Sequence, residues 1–128
     1  MKKILLIDDS DTYTWCLQKY LQHRGYPVKT ASTLKEARAA IQEEMPLVVC
    51  CDLDLPDGTA MELFHTLRRV AGMFQMKNPP VRLLPFFILT ENNDLATEYE
   101  YRHEGVNDYI TAPVNIPELI RRVLFFVE

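Results

Sequence analysis

Brief apolar runs alternate with longer amphipathic stretches along the whole chain. The runs lie at residues 3–7, 27–30, 47–51, 86–89 and 107–110. Most lack the in-out alternation of a half-exposed strand, the pattern expected where both faces of a sheet are covered. Between them, hydrophobic positions recur at helical spacing. Residues 11–24 place Tyr13, Cys16, Leu17, Tyr20 and Leu21 on one stripe, with Gly25 as a stop. Residues 33–43 place Leu34, Ala37 and Ile41 on another. A third helix, from 58 to about 74, carries Met61, Leu63, Phe64 and Leu67. The fourth, 94–104, is polar, bears Tyr99 and Tyr101, and ends at Gly105. Asn115 caps the last, with Glu118 three residues on as the second half of a capping box and a stripe of Ile116, Leu119, Ile120, Val123 and Leu124.

Five strands alternating with five helices predict an α/β fold: a doubly wound, five-stranded parallel sheet with right-handed crossovers and helices on both faces. The length suits a single domain over 1–128. Ligands of such sheets bind beyond the carboxyl ends of the strands, near a topological switch point. On that edge the sequence places Asp8-Asp9, Asp52, Thr90 and the turn from Thr111 to Pro113. The 68–85 segment, with Pro79, Pro80 and Pro85, breaks the rhythm and reads as a helix end plus a loop, without a legible function.

Composition narrows the classes. Hydrophobic residues make up 48% and charged residues 25%, an ordinary globular balance. A net charge of -4, with both signs interspersed, argues against a nucleic-acid partner. No apolar run approaches the roughly 18 residues that span a bilayer, so no membrane partner is expected. The apolar stretch after the first lysines is too short for a signal peptide. Of three cysteines, Cys16, Cys50 and Cys51, the adjacent pair should point to opposite faces of a strand as buried thiols. A reducing, cytoplasmic setting fits this usage.

Three carboxylates at the ends of neighbouring strands repel one another. A divalent cation relieves that repulsion, and hard oxygen ligands suit Mg2+ or Mn2+. The alternative is that these are capping and loop acids, with Ser10 or Asp11 capping the first helix.

Several motifs bear on this choice. An apolar strand ends in Ile7-Asp8-Asp9-Ser10; Leu47-Val48-Val49-Cys50-Cys51-Asp52 is followed by Leu53-Asp54-Leu55-Pro56-Asp57-Gly58; then come Phe86-Phe87-Ile88-Leu89-Thr90 and Gly105-Val106-Asn107-Asp108-Tyr109-Ile110. In order and spacing, the chain resembles the response-regulator receiver family over essentially its whole length. The resemblance implies the flavodoxin-like receiver fold with strand order 2-1-3-4-5. It implies that Asp52 is a phosphoacceptor, phosphorylated with Mg2+ by a histidine kinase or histidine phosphotransfer protein. Asp9 and Asp52 would bind the metal directly, the backbone carbonyl of Asp54 would be a third ligand, and Asp8 would act through metal-bound water. Thr90 would hydrogen-bond the phosphoryl group, and Tyr109 would be the aromatic switch. An ionised aspartate is the required nucleophile, and the cation offsets charge on the transferred group.

Two positions depart from the family. It places a lysine before the proline that follows the fifth strand, where this chain has Ala112 before Pro113. Glu91 follows Thr90, where the family usually has a small residue. At about 4 Å and an effective dielectric of about 20, one charge pair is worth about 4 kcal/mol before desolvation. Losing the lysine therefore weakens phosphoryl stabilisation while leaving the nucleophile and metal ligands in place.

The leading reading is thus a phosphoacceptor signalling domain, not an enzyme beyond self-phosphorylation and autodephosphorylation. The alternative is a pseudo-receiver of the same fold, working through protein contacts without phospho-switching. Asp52-Leu53-Asp54 also resembles the nucleophile motif of haloacid-dehalogenase-type phosphatases, but Asp8-Asp9 precedes it, the wrong order for that family. Trp15 is a candidate contact for a phosphodonor. Tyr99, Tyr101, Phe125 and Phe126 suggest an apolar patch on the fourth and fifth helices for a homodimer or target. His23, His65 and His103 are assigned no role. No output domain is expected within these residues.

Overall fold

The strands form where apolar residues cluster too briefly to build a helix. The structure, a computed structural model describing residues 2–75, 84–113 and 115–127, places them at β1 (Ile4–Ile7), β2 (Val28–Ala31), β3 (Val48–Cys51), β4 (Phe86–Thr90) and β5 (Asp108–Thr111). The helices are α1 (Asp11–His23), α2 (Leu34–Glu43), α3 (Ala60–Gln75), α4 (Leu95–Glu104) and α5 (Ile116–Val127). All pairings in the five-stranded sheet are parallel, in the order β2-β1-β3-β4-β5. This is the predicted doubly wound topology, with most strand ends within a residue of the sequence reading.

The sheet divides the core in two. Leu5, Ile7, Val49, Cys51, Phe86 and Ile88 face one side and pack with Leu34, Ala37 and Ile41 of α2, Leu63 and Phe64 of α3, and Tyr101 of α4. Ile4, Leu6, Val48, Cys50, Phe87 and Leu89 face the other, against Leu17 and Leu21 of α1 and Leu119 and Val123 of α5. Each fully buried Val, Leu, Ile or Phe among them contributes about 1.5–3 kcal/mol of transfer free energy. Adjacent Cys50 and Cys51 indeed point to opposite faces, both buried.

Caps fix the helix starts. Thr33 accepts from the Glu36 amide at 3.1 Å, Asp94 from Thr97 at 3.2 Å and Asn115 from Glu118 at 3.1 Å. The Asn115 cap forms as the sequence indicates, but the Glu118 carboxylate is taken by Arg121 and Arg122. Ser10 sits at the N-cap of α1 without a side-chain cap; its amide is held instead by Asp8, at 2.8 Å.

Two local expectations are corrected. The third helix begins at Ala60, not Gly58, because Asp54–Leu55 pairs antiparallel with Gly58–Thr59 in a short hairpin around Pro56-Asp57. Gly58 there adopts φ +150°, a backbone setting that side-chain-bearing residues avoid. On α1, Cys16 is exposed and Tyr20 is 62% exposed, while Thr14 joins Leu17 and Leu21 on the buried stripe. The helix is rotated so that position 14 meets the sheet, which a count of apolar letters cannot register. The Tyr13 side chain lies outside the described residues, as do residues 76–83 in the middle of the 68–85 segment.

Candidate functional site

The acids stand where two central strands end. Past β1, the Asp8 amide donates to the Ala31 carbonyl at 3.0 Å; past β3, the Asp52 amide donates to the Ile7 carbonyl at 2.9 Å. The sheet ladder thus runs one step beyond the apolar residues and fixes both backbones. The chain leaves β1 towards β2 on one side and β3 towards β4 on the other, so a crevice opens between them. Into it Asp8, Asp9 and Asp52 bring carboxylate oxygens that all lie within 4.8 Å of one another. The crevice has a volume of about 270 Å³, and its walls include Asp54, Thr90, Glu91, Asn92 and Ala112.

The electrostatics are one-sided. Among the described residues lining the crevice there is no basic side chain. Burial raises the pKa of Asp8 above the ordinary carboxylate range; the Ser10 amide opposes this, and the charges of Asp52, Asp9 and Glu91 add to it. Asp52 is raised too, chiefly by burial and then by Asp9 and Asp54, against the Leu53 amide at 2.8 Å and the Thr90 hydroxyl. Partly desolvated carboxylates crowded together are a hard-oxygen donor set, and the residues present fit a small divalent cation.

Thr90 closes β4, is 5% exposed, and its carbonyl accepts the Ala112 amide at 2.6 Å. The Asn92 amide donates to the Thr90 hydroxyl at 3.1 Å. Tyr109 on β5 is buried, with its ring against Tyr101 and its hydroxyl donating to the Asn92 carbonyl at 3.2 Å. The candidate residues Asp8, Asp9, Asp52, Asp54 and Thr90 are therefore brought together, while Tyr109 stands one hydrogen-bonded residue behind. Asn92 escaped the sequence reading because it works through its backbone, which leaves no side-chain signature.

The side-chain candidates away from the crevice separate cleanly. Trp15 is 59% exposed on α1, with the Lys19 ammonium 5.8 Å from its ring. Tyr99 and Phe125 are 70% and 79% exposed, whereas Tyr101 and Phe126 pack into the two cores. His65, assigned no role from sequence, pairs with Glu104 at 3.2 Å and links α3 to α4.

Fold and crevice together define a doubly wound α/β domain with an acidic pocket at its switch point. The family model of the response regulator receiver domain matches residues 4–124. The chain belongs to the response regulator receiver domain family, the signalling modules of two-component systems. It is 25% identical to the photosynthetic apparatus regulatory protein RegA of Rhodobacter capsulatus over 123 residues, 96% of this chain and 61% of that protein. It is 32% identical to the transcriptional regulatory protein KdpE of Mycobacterium tuberculosis, over 96% of this chain and 50% of KdpE. The chain thus spans about half to three-fifths of these relatives' length. Among solved structures, a response regulator from Chloroflexus aurantiacus superposes with a TM-score of 0.81 at 28% identity, covering 98% of this chain and 97% of that one. The chemotaxis response regulator CheY4 of Vibrio cholerae gives 0.77 at 26% identity, covering 98% of each. No described helix is long and apolar enough to cross a membrane.

Proposed function

We propose that the chain is a phosphoacceptor module, taking a phosphoryl group on Asp52 from a histidine kinase or histidine phosphotransfer partner. The observation that carries this reading is the meeting of Asp8, Asp9 and Asp52 at the carboxyl ends of β1 and β3, in a crevice closed by Thr90. Asp9 and Asp52 would hold Mg2+ with the Asp54 carbonyl, and Asp8 through water; Mn2+ suits the same donors. When bound, the ion offsets charge on the transferred group. An Asp52 carboxylate oxygen bonds to phosphorus as the donor's bond to phosphorus breaks, leaving an acyl phosphate. The Thr90 hydroxyl donates to the new phosphoryl oxygens. That donation reorients the hydroxyl that Asn92 now binds, and so reaches Tyr109. There is no substrate turnover beyond self-phosphorylation and autodephosphorylation, and the setting is cytoplasmic.

The test is incubation with Mg2+ and acetyl phosphate, followed by intact-mass measurement. A phosphoryl adduct is expected on the unchanged chain and not on Asp52→Asn. Its absence, with no response to beryllofluoride, would favour a second reading: a pseudo-receiver protein-interaction module not switched by phosphorylation. Ala112 and Glu91 motivate that reading, since among the described residues they leave the crevice without a basic side chain and with a further carboxylate at its rim. In either case the exposed Leu95, Tyr99 and Phe125 support α4 and α5 as the face for a second copy or a target.

A further inference from the structure

The first three amide groups of α2 are all occupied, by two different parts of the chain. Thr33 takes the Glu36 amide at 3.1 Å from the usual N-cap position. The two amides before it go to one distant carboxylate: Asp57 accepts from Leu34 at 2.7 Å and from Lys35 at 3.0 Å. Free N–H groups at a helix start need partners, but water or a local cap supplies them at an exposed site. A carboxylate arriving from more than twenty residues away also fastens two segments together.

The second segment is the hairpin of Asp54–Leu55 with Gly58–Thr59, which begins two residues after Asp52. Its contact with α2 is tight. A methyl group built on Gly58 would stand 2.7 Å from a Leu34 methyl and collide with the Glu62 carboxylate. Leu55 is buried in the same cluster as Leu34. The hairpin is therefore held to α2 by packing on one side and by the paired Asp57 hydrogen bonds on the other. Asp54, which lines the crevice, lies within it.

We infer that Asp57 is a positioning residue for the acidic crevice, clamping the Asp54 hairpin onto the start of α2 so that Asp54 is set for cation binding. This rests on the metal-dependent reading proposed above. Groups that orient a ligand without touching the ion typically change metal affinity by about 10–100-fold when removed. A backbone ligand depends on such support more than a side chain does, because it cannot change rotamer to follow the ion.

The test compares Mg2+ affinity by titration calorimetry in the unchanged protein, Asp57→Ala and Asp57→Asn, with thermal unfolding in EDTA alongside. Asp57→Ala should weaken Mg2+ binding about tenfold, with Asp57→Asn, which keeps one acceptor oxygen, in between. Faster amide hydrogen exchange in residues 53–60 should accompany the loss. A lower unfolding temperature with unchanged Mg2+ affinity would show a purely structural cap and overturn the inference while leaving the proposed function intact. Should Asp57→Ala not fold, Asp57→Asn decides by the same comparison. If the unchanged protein binds no Mg2+, both readings fail together.

Discussion

The Tyr109 hydroxyl and the Thr90 hydroxyl meet on one residue: Tyr109 donates to the Asn92 carbonyl at 3.2 Å, and the Asn92 amide donates to Thr90 at 3.1 Å. Burial pushes the Tyr109 pKa up, with Glu98, Asp94 and Asp52 adding to it, so the hydroxyl keeps its proton well above neutrality. Tyr109→Phe keeps the buried ring and removes only the donor. It should cost about 0.5–1.5 kcal/mol by urea denaturation, the net worth of one hydrogen bond. An unchanged midpoint would show that the link carries no stability.

The acid cluster sets a pH dependence of defined sign. Asp8 and Asp52 both have folded-state pKa values above the ordinary one. For a raised carboxylate, the favourable contribution is complete below the unfolded pKa and is lost as pH rises through the folded one. In EDTA, the native protein should therefore lose stability from this pair as pH rises through the acid range. Asp52→Asn should be more stable than the unchanged chain at neutral pH. Mg2+ at a hundred times its dissociation constant should reverse that order, by about 2.7 kcal/mol for the unchanged protein. Thermal melts with and without the ion read both effects.

Thr14 is 8% exposed, and its hydroxyl oxygen has no hydrogen-bond partner among the described residues. A buried hydroxyl without a partner costs about 1–3 kcal/mol. Thr14→Val preserves the shape and removes the cost, so the variant should be more stable, by about 1 kcal/mol in chemical denaturation. Destabilisation would mean that the hydroxyl is satisfied in solution.

The cysteines should differ sharply in reactivity. Cys16 is exposed, whereas burial pushes the Cys50 thiol up to about 12 and raises Cys51 well above its usual value. The thiolate is the reactive form. One equivalent of thiol reagent should react quickly with the native protein and three after unfolding. Rapid reaction of all three without denaturant would contradict the buried placement.

The sequence disclosed the sheet more fully than the helices. Residues 47–51 and 86–89 are apolar without alternation, so they carry their burial on both faces in the letters themselves. On α1, a polar Thr14 faces the core while Tyr20 faces water, because a helix's rotation is set by what it packs against. At the site, Asp8, Asp9 and Asp52 were legible because strand ends locate them. Asn92 acts through backbone atoms and Asp57 through a partner more than twenty residues away, and neither relation has a local pattern. Leu53-Asp54-Leu55-Pro56-Asp57-Gly58 did contain a turn signal, in Pro56 followed by Asp57 and Gly58, but the sequence reading starts α3 at Gly58 and so misses the return strand Gly58–Thr59.

The central strand β3 has only four residues, buried on both faces, and Asp52 follows its last one directly. Its position is thus counted in single residues from the hydrophobic run. Inserting one residue within Val48–Cys51 would exchange the occupants of the two cores and push the carboxylate a step past its neighbours on β1. The same insertion in a surface turn would leave both counts intact. A change of length is therefore tolerable in the connections and not within this strand, and the spacing from Val48 to Asp52 behaves as a ruler that cannot stretch.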